Sequence, residues 1–353
     1  MRSARWTTLV AGGCLALSLL GGGLGACADG GPPSAAAARD YLSRVEESPW
    51  LQALLDRTVA TLQAKDARLR ASDVRIAVLD LRDDTTPKLA QQRGYRPMYP
   101  ASVIKFVYLM AAYAFQETGQ LRIDPELDGL LTHMIFESSN QATQGVVARI
   151  TGTTPGPALA PEAYAEFRDR RLSVNRWLGT LGVRGLHCVN PTFDGTADMT
   201  GRDRQLIADR SAASGLAPDK NEPNRNAMTA VGTAELLALL ATDRALSPAD
   251  SATVRRRMRR DPKVQRHLAA RIAGGASRLP GLEVYAKTGT WGPIYADAGI
   301  VRNAEGKQFV VAVLIQGSPA YRGDFIADLT ERLAAALLAP PAHGTPPVDD
   351  IHP

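Results

Sequence analysis

Leu282-Glu283-Val284-Tyr285-Ala286-Lys287, Ala298-Gly299-Ile300-Val301-Arg302 and Phe309-Val310-Val311-Ala312-Val313-Leu314-Ile315-Gln316 are three short segments rich in β-branched and aromatic residues. Thr290-Trp291-Gly292-Pro293 and Asn303-Ala304-Glu305-Gly306-Lys307 separate them with turn-forming residues, so the stretch reads as a meander of antiparallel strands. One more strand is expected far upstream, where Val74, Ile76 and Val78 with Ala77, Leu79 and Leu81 run into the turn Asp83-Asp84-Thr85-Thr86-Pro87. Residues 120–260 between them are mainly helical by pattern, with a loop-rich interruption from about Asn190 to Asn226. A sheet whose strands are divided by a helical block implies an α/β (α+β) protein: an antiparallel sheet flanked by helices, plus an all-helical lobe. The expected division of the body 45–338 is an α/β lobe of 45–100 and 265–338, a helical lobe of 101–264, and a cleft at their junction.

Upstream, Ser48 is a cap followed by Pro49 at the first helical position, and Leu51, Leu54, Leu55, Val59 and Leu62 recur at helical spacing. Ser102 to Phe115 is apolar nearly all round, with Pro100 before it and Gly119 after it, which describes a helix buried inside the protein. Asp324 to Leu338 reads as a closing helix, and 339–353 is a Pro-rich tail.

The 353 residues are 45% hydrophobic and 22% charged, the balance of a folded globular chain. The net charge of +5 is interspersed with acids, so a nucleic-acid partner is not expected. Three cysteines, Cys14, Cys27 and Cys188, cannot build a disulfide framework, and no cysteine or histidine spacing suits zinc; no metal or cofactor is expected. Cys188 reads as a small buried apolar residue. Arg2 and Arg5 followed by a leucine-rich stretch read as an export signal over 1–26. Leu24-Gly25-Ala26-Cys27 resembles the lipobox of bacterial lipoproteins, which makes Cys27 the candidate lipidation site and new N-terminus; an ordinary signal cut nearby is the alternative. Residues 27–44 read as a flexible Gly/Pro/Ala tether. The chain is thus expected in the cell envelope, membrane-anchored, or periplasmic or secreted if not lipidated, and monomeric.

Three separate stretches carry chemistry. Ser102-Val103-Ile104-Lys105 puts a hydroxyl and an amine on one helix face, close enough to share a hydrogen bond. An amine in an apolar pocket near other cations loses basicity and can take the serine proton, while the Ser102 N–H at the helix start is free to hold an oxyanion. Taken alone, the same four residues also describe a helix cap with a solvated lysine. Ser138-Ser139-Asn140 sets a second hydroxyl and an amide at the mouth of another helix, where a plain cap is the competing reading. Lys287-Thr288-Gly289-Thr290 ends a strand with an amine, a hydroxyl and a glycine that lets a ligand approach the backbone; the competing reading is a strand running into a turn.

Together and in this order the three resemble the penicillin-recognising serine hydrolases, the class A β-lactamases and D,D-peptidases, whose signature is Ser-x-x-Lys, Ser-x-Asn and Lys-Thr-Gly. Tyr99-Pro100-Ala101 and Gln141-Ala142-Thr143 are similar as well, and the resemblance covers about 45–338. It implies Ser102 as nucleophile, Lys105 as its proton acceptor and Ser138 as proton relay. Asn140 would hold a substrate amide, Lys287 and Thr288 with Gly289 would take the substrate carboxylate, and the N–H groups of Ser102 and Thr290 would form the oxyanion hole. The family's Glu-x-x-Leu-Asn segment, whose glutamate positions the water that clears the acyl-enzyme, has no counterpart here. Asp194, Asp198 and Glu222 are the candidate replacements.

The expected function is acyl-enzyme hydrolysis of a β-lactam or related amide, with a small-molecule β-lactam or peptidoglycan-type substrate. The alternatives are a D,D-peptidase, penicillin-binding protein or esterase with slow deacylation, and a lipoprotein that binds cell-wall peptide on an inactive scaffold. Arg255-Arg256-Arg257-Met258-Arg259-Arg260 reads as a solvated helical face, or as a contact for anionic polymer or lipid. Trp291 could line the cleft or plug the hairpin.

Overall fold

The computed structural model describes residues 33–217 and 219–338. The strands are β1 (Glu46–Glu47), β2 (Asp73–Asp80), β3 (Lys88–Gln92), β4 (Leu186–His187), β5 (Ala227–Met228), β6 (Glu283–Trp291), β7 (Ile294–Arg302) and β8 (Gln308–Gln316). Six of them form one sheet in the order β1-β3-β2-β8-β7-β6, antiparallel except for the short parallel pair β1 and β3. The sheet is joined from both chain ends because β8 pairs with β2 along its whole length, Asp73 opposite Gln316 and Asp80 opposite Phe309. β4 and β5 make a separate two-stranded ribbon inside the helical region.

The run Phe309–Ile315 is buried on both faces, as its unbroken apolar sequence requires of a central strand. On one face the helices Pro49–Lys65 and Phe325–Leu337 cover the sheet through Leu51, Leu55, Val59, Leu329 and Leu333. On the other lies the core shared with the helical region, centred on the helix Lys105–Glu117, whose residues from Lys105 to Phe115 are all buried. A helix apolar all round has no face to give to solvent, so its first residue, a lysine, is carried inside with it.

Several elements differ from the expectation. The hairpin strands are longer, because Thr288, Gly289, Thr290 and Trp291 continue β6 and pair with β7 up to a two-residue turn at Gly292-Pro293. β3 was not anticipated: Lys-Leu-Ala-Gln-Gln has weak strand preference, and its pairing with β2 supplies the order. The tether expected through residue 44 is helical over Ala35–Ser43, capped by Ser34, with Ala38 and Tyr41 buried in the body. The loop-rich 190–226 contains a helix Gly201–Ala208, capped reciprocally by Thr200 and Asp203.

The arginine run is tied internally rather than forming a solvated face. Arg255 pairs with Asp243 at 2.5 Å, Arg257 with Asp128 and Tyr113, and Arg259 with Glu283 at 3.1 Å, while the Arg260 guanidinium is buried. Cys188 is buried and its thiol is pushed up by loss of solvent. Cys14, Cys27, the leader and the tail 339–353 lie outside the described residues. Among the described residues no helix is long and apolar enough to cross a membrane, and no cluster of His, Cys, Asp or Glu could hold a metal ion.

Candidate active site

The nucleophile candidate sits on a strained turn. Pro100 leads into a 3-10 turn, Ala101–Ile104, that enters the helix at Lys105, and Ala101 is held at φ +48°, a left-handed setting that alanine seldom adopts. Val103 N–H donates to Pro100 O at 3.2 Å as the first bond of the turn, which leaves the Ser102 N–H ahead of the hydrogen-bonded series. Val103 and Ile104 are buried and Ser102 is half-buried.

Gly289 fixes where that turn lies. A Cβ on Gly289 would stand 2.6 Å from Pro100 O and 3.0 Å from Val103 N, so only glycine lets β6 run this close to the turn. The sequence suggests that this glycine makes room for a ligand; the group that approaches it is the chain's own turn at Pro100–Val103. β6 is an edge strand, and Arg260 takes the outward-facing carbonyls of Val284 and Ala286. By the alternation of a strand, the Thr290 N–H faces the same outer edge. Thr290 directly follows Gly289, the residue against which the Ser102 turn packs.

Ser138 has φ +60° between the helices Pro125–Phe136 and Asn140–Thr151. The capping role belongs to its neighbour Ser139, whose Oγ accepts from Ala142 N–H at 3.1 Å, and this releases the Ser138 hydroxyl. Two amines converge on Ser138. Lys287 Nζ donates to Ser138 Oγ at 2.8 Å and to Thr288 O at 2.9 Å. Lys105 Nζ lies 3.4 Å from Ser138 Oγ and donates to Ser138 O at 2.5 Å and to Asn140 Oδ1 at 2.7 Å. Among the described residues Ser102 Oγ has no hydrogen-bond partner, so the Ser102–Lys105 bond expected from helix spacing is not formed; a 3-10 turn instead of an α-turn carries Ser102, and Lys105 points to Ser138 and Asn140.

Burial lowers the Lys105 pKa from 10.5 to about 7, against the opposing charge of Asp194. Lys287 is 1% exposed and falls well below the ordinary lysine range, first through burial and then through the charges of Lys105, Arg260 and Arg271. Asp297, buried across from Thr288, opposes that fall. Arg260 and Arg271 were not anticipated. Arg260 bonds Ala286 O and Ile135 O, while Arg271 bonds Ala296 O and, at 2.6 Å, the Thr290 hydroxyl. Ser138, Arg260, Lys287 and Thr288 line a cavity of about 230 Å³, a cationic setting suited to a carboxylate.

Asn140 is committed on both sides of its amide. Oδ1 accepts from Lys105 and from Thr192 Oγ1 at 2.6 Å, and Nδ2 donates to Asp194 Oδ1 at 2.5 Å. Two donors and one carboxylate leave a single possible amide orientation, with one N–H left for a substrate carbonyl. Thr192 was missed in the sequence. The loop that carries it is clamped by reciprocal bonds: Asn226 Oδ1 accepts from Val189 and Asn190 N–H, and Asn226 Nδ2 returns to Asn190 O.

Of the three candidate bases the structure brings Asp194 to the centre. Asp198 instead caps a short turn, accepting from the N–H groups of Asp194 at 3.1 Å and Gly195 at 3.2 Å. Glu222 pairs with Arg225 away from Ser138 and Lys105.

The sequence matches the family described as "Beta-lactamase enzyme family" over residues 124–338, more than half of the chain; Ser138, Asn140 and Lys287–Thr290 fall within the match, and Ser102 and Lys105 precede it. No curated protein matches. Among solved structures, the β-lactamase of Sphaerobacter thermophilus is similar at 19% identity and a TM-score of 0.57, over 83% of this chain and 100% of that one. The ancestral class A β-lactamase of the last common ancestor of Gram-negative bacteria is similar at 19% and 0.56, over 80% and 99%. A mutant of PBP-A, captured as its acyl-enzyme complex with penicillin G, is similar at 17% and 0.54, over 80% and 96%. At these identities the likeness is one of fold.

Proposed function

The chain belongs to the β-lactamase enzyme family, and on that premise we propose that it is a serine hydrolase in which Ser102 is acylated by a β-lactam or a related amide. The observation that carries this reading is the convergence of two buried amines on one hydroxyl, with Lys105 and Lys287 both directed at Ser138. Burying two ammonium groups together is costly, and a merely structural site gains nothing from it.

Neutral Lys105 spends its two N–H groups on Ser138 O and Asn140 Oδ1, which leaves its lone pair to accept the Ser102 proton. With the amine pKa about 7, that form is well populated at neutral pH. As Ser102 Oγ bonds to the acyl carbon, the carbonyl becomes an oxyanion facing the N–H groups of Ser102 and Thr290. Collapse breaks the acyl–nitrogen bond, and the proton passes from Lys105 through Ser138 Oγ to the leaving nitrogen. Lys287 holds Ser138 in place and, with Thr288, pairs with the substrate carboxylate. Deacylation needs water and a base, and Asp194 is the carboxylate joined to this centre, through Asn140. A second reading, a D,D-peptidase or penicillin-binding protein whose acyl-enzyme persists, is favoured by the absence of Glu-x-x-Leu-Asn from the sequence.

Incubating the protein with a chromogenic cephalosporin while taking its intact mass separates the readings. Steady turnover identifies a lactamase. A lasting adduct lost in Ser102→Ala identifies a penicillin-binding protein, and neither turnover nor adduct leaves a binding scaffold. We place the protein in the cell envelope on a lipid anchor at Cys27, a reading supported by Arg2, Arg5 and the lipobox-like Leu24–Cys27. Labelled fatty acid should enter the wild-type chain and not Cys27→Ala; equal labelling of both excludes the anchor.

A further inference from the structure

Among the described residues His187 is the only buried histidine, 3% exposed on β4 and close in sequence to Thr192 and Asp194. Two asparagine amides fix which of its nitrogens carries the hydrogen. Asn224 Nδ2 donates to Leu206 O at 3.1 Å and to Asp209 O, so Asn224 Oδ1 faces His187 Nε2 at 3.1 Å and can only accept. On the other side, in the helix Ser173–Leu181, Asn175 Oδ1 accepts from Cys188 N–H at 2.8 Å, so Asn175 Nδ2 faces His187 Nδ1 at 3.3 Å and can only donate. The ring is therefore neutral, with its hydrogen on Nε2 and its lone pair on Nδ1. A proton on Nδ1 would point at the N–H of Asn175, and turning that amide over would abandon the Cys188 N–H. The charged groups around the ring are paired with each other. Arg171, from the helix Pro161–Arg171, pairs with Asp203 of the helix Gly201–Ala208 at 3.0 Å; beyond Asn224, Asp209 takes Arg168 and Tyr164, and Glu222 takes Arg225. Burial pushes the Tyr108 hydroxyl and the Cys188 thiol up, so both are neutral, and Ala227, opposite His187 on β5, is apolar. Among the described residues no charged side chain bonds either ring nitrogen, so no direct partner offsets a charged imidazole.

We propose that His187 is a positioning residue: as the neutral imidazole it holds the segment 188–194, and with it Thr192 and Asp194, against Asn140, and a proton on its ring releases that segment. The connection runs through Asn224, whose backbone oxygen accepts from Asn190 Nδ2 at 2.7 Å beside the bonds from Val189 and Asn190 N–H to Asn226. Thr192 and Asp194 follow in the chain and reach Asn140 Oδ1 and Nδ2. Burial pushes the His187 pKa below 6.5, opposed by the bond to Asn224. The folded segment thus takes this proton less readily than an opened one, and its local stability is present above about 6.5 and lost as pH falls below that value. The latch stands on these hydrogen bonds alone; its effect on turnover rests on the reading of Asp194 as the base for deacylation.

The test is amide hydrogen exchange of the peptide 186–194 at pH 7 and pH 5, corrected for the intrinsic pH dependence of exchange. In the wild type its protection should fall about tenfold on acidification, while the central strand Phe309–Ile315 keeps its own. His187→Gln retains a donor for Asn224 and cannot take the proton, so its protection should change by less than about threefold. Asn175→Asp retains an acceptor for the Cys188 N–H and gives a protonated Nδ1 a carboxylate partner, so protection should persist at pH 5 in this variant too. A melting curve at pH 7 shows which variants are folded, and either one suffices beside the wild type. Protection unchanged in the wild type, or falling equally in the folded variants, overturns the latch. Loss of the benzylpenicillin adduct, followed by intact mass, should slow about tenfold from pH 7 to pH 5 in the wild type and less than about threefold in the variants. Equal slowing in all of them overturns the positioning role. If no adduct forms, the reading of Ser102 as nucleophile fails, and exchange alone decides the latch.

Discussion

The turn around Ser102 and the loop 190–198 face each other across Asn140, and they are built on opposite principles. The first is dense and strained: Ala101 and Ser138 both have positive φ, two buried amines share one hydroxyl, and a glycine backbone presses on the turn. The second carries its carboxylate in the open. Asp194 is exposed and touches the centre through a single bond to Asn140, although the loop behind it is clamped by Asn226. On the proposed function, this contrast means that acyl transfer onto Ser102 is preorganised, whereas removal of the acyl group depends on one exposed side chain.

The largest break in that comparison should come from Lys105→Ala, which is expected to slow acylation by about 10²–10⁴-fold as followed by intact mass. Acylation within threefold of wild type would remove Lys105 from its role. The pH profile sharpens the same point. Lys105 must be neutral to accept a proton, so the acylation rate should rise with pH, level off above about 7, and fall about tenfold per unit well below it. A profile flat from pH 5 to 9 would contradict the role. Stability has its own sign: the unfolded chain holds the Lys105 proton up to about 10.5 and the folded one only to about 7, so between those values folding is favoured as pH rises.

Gly289→Ala should come next, with acylation reduced about 10- to 100-fold and stability reduced by about 1–3 kcal/mol, because the added carbon meets Pro100 O at 2.6 Å. Rates and melting temperature both unchanged would show that β6 can draw back from the turn freely. Asp194→Asn should spare acylation to within about threefold and slow loss of the adduct by about tenfold or more. It should also move the acylation midpoint to lower pH, since the Asp194 charge raises the Lys105 pKa. Unchanged deacylation would take Asp194 out of the mechanism. The smallest effect is expected for Thr192→Val, a few-fold loss of acylation restored by Thr192→Ser, reported by the same mass assay.

Much of this was legible in the sequence, and the reasons differ by region. The meander 282–316 and the helix 105–117 carry their own period, so local pattern was enough. The three motifs could be seen because each is contiguous. Arg260 and Arg271 could not, since their importance lies in carbonyls and a hydroxyl on β6 and β7 that only folding brings near. Thr192 is a threonine among many until Asn140 arrives from 52 residues away. β3 and the helix 35–43 owe their order to tertiary contacts, with β2 and with the buried seats of Ala38 and Tyr41. The expected Ser102–Lys105 bond failed for a local reason, the 3-10 turn, which spacing alone does not reveal.

The most direct test is a crystal structure of the protein after exposure to benzylpenicillin. It should hold the acyl carbon on Ser102 Oγ, the carbonyl oxygen between the N–H groups of Ser102 and Thr290, and Lys287 Nζ on Ser138 Oγ. An unmodified Ser102, or an adduct with the Lys287 amine turned out of reach of both, would contradict the account.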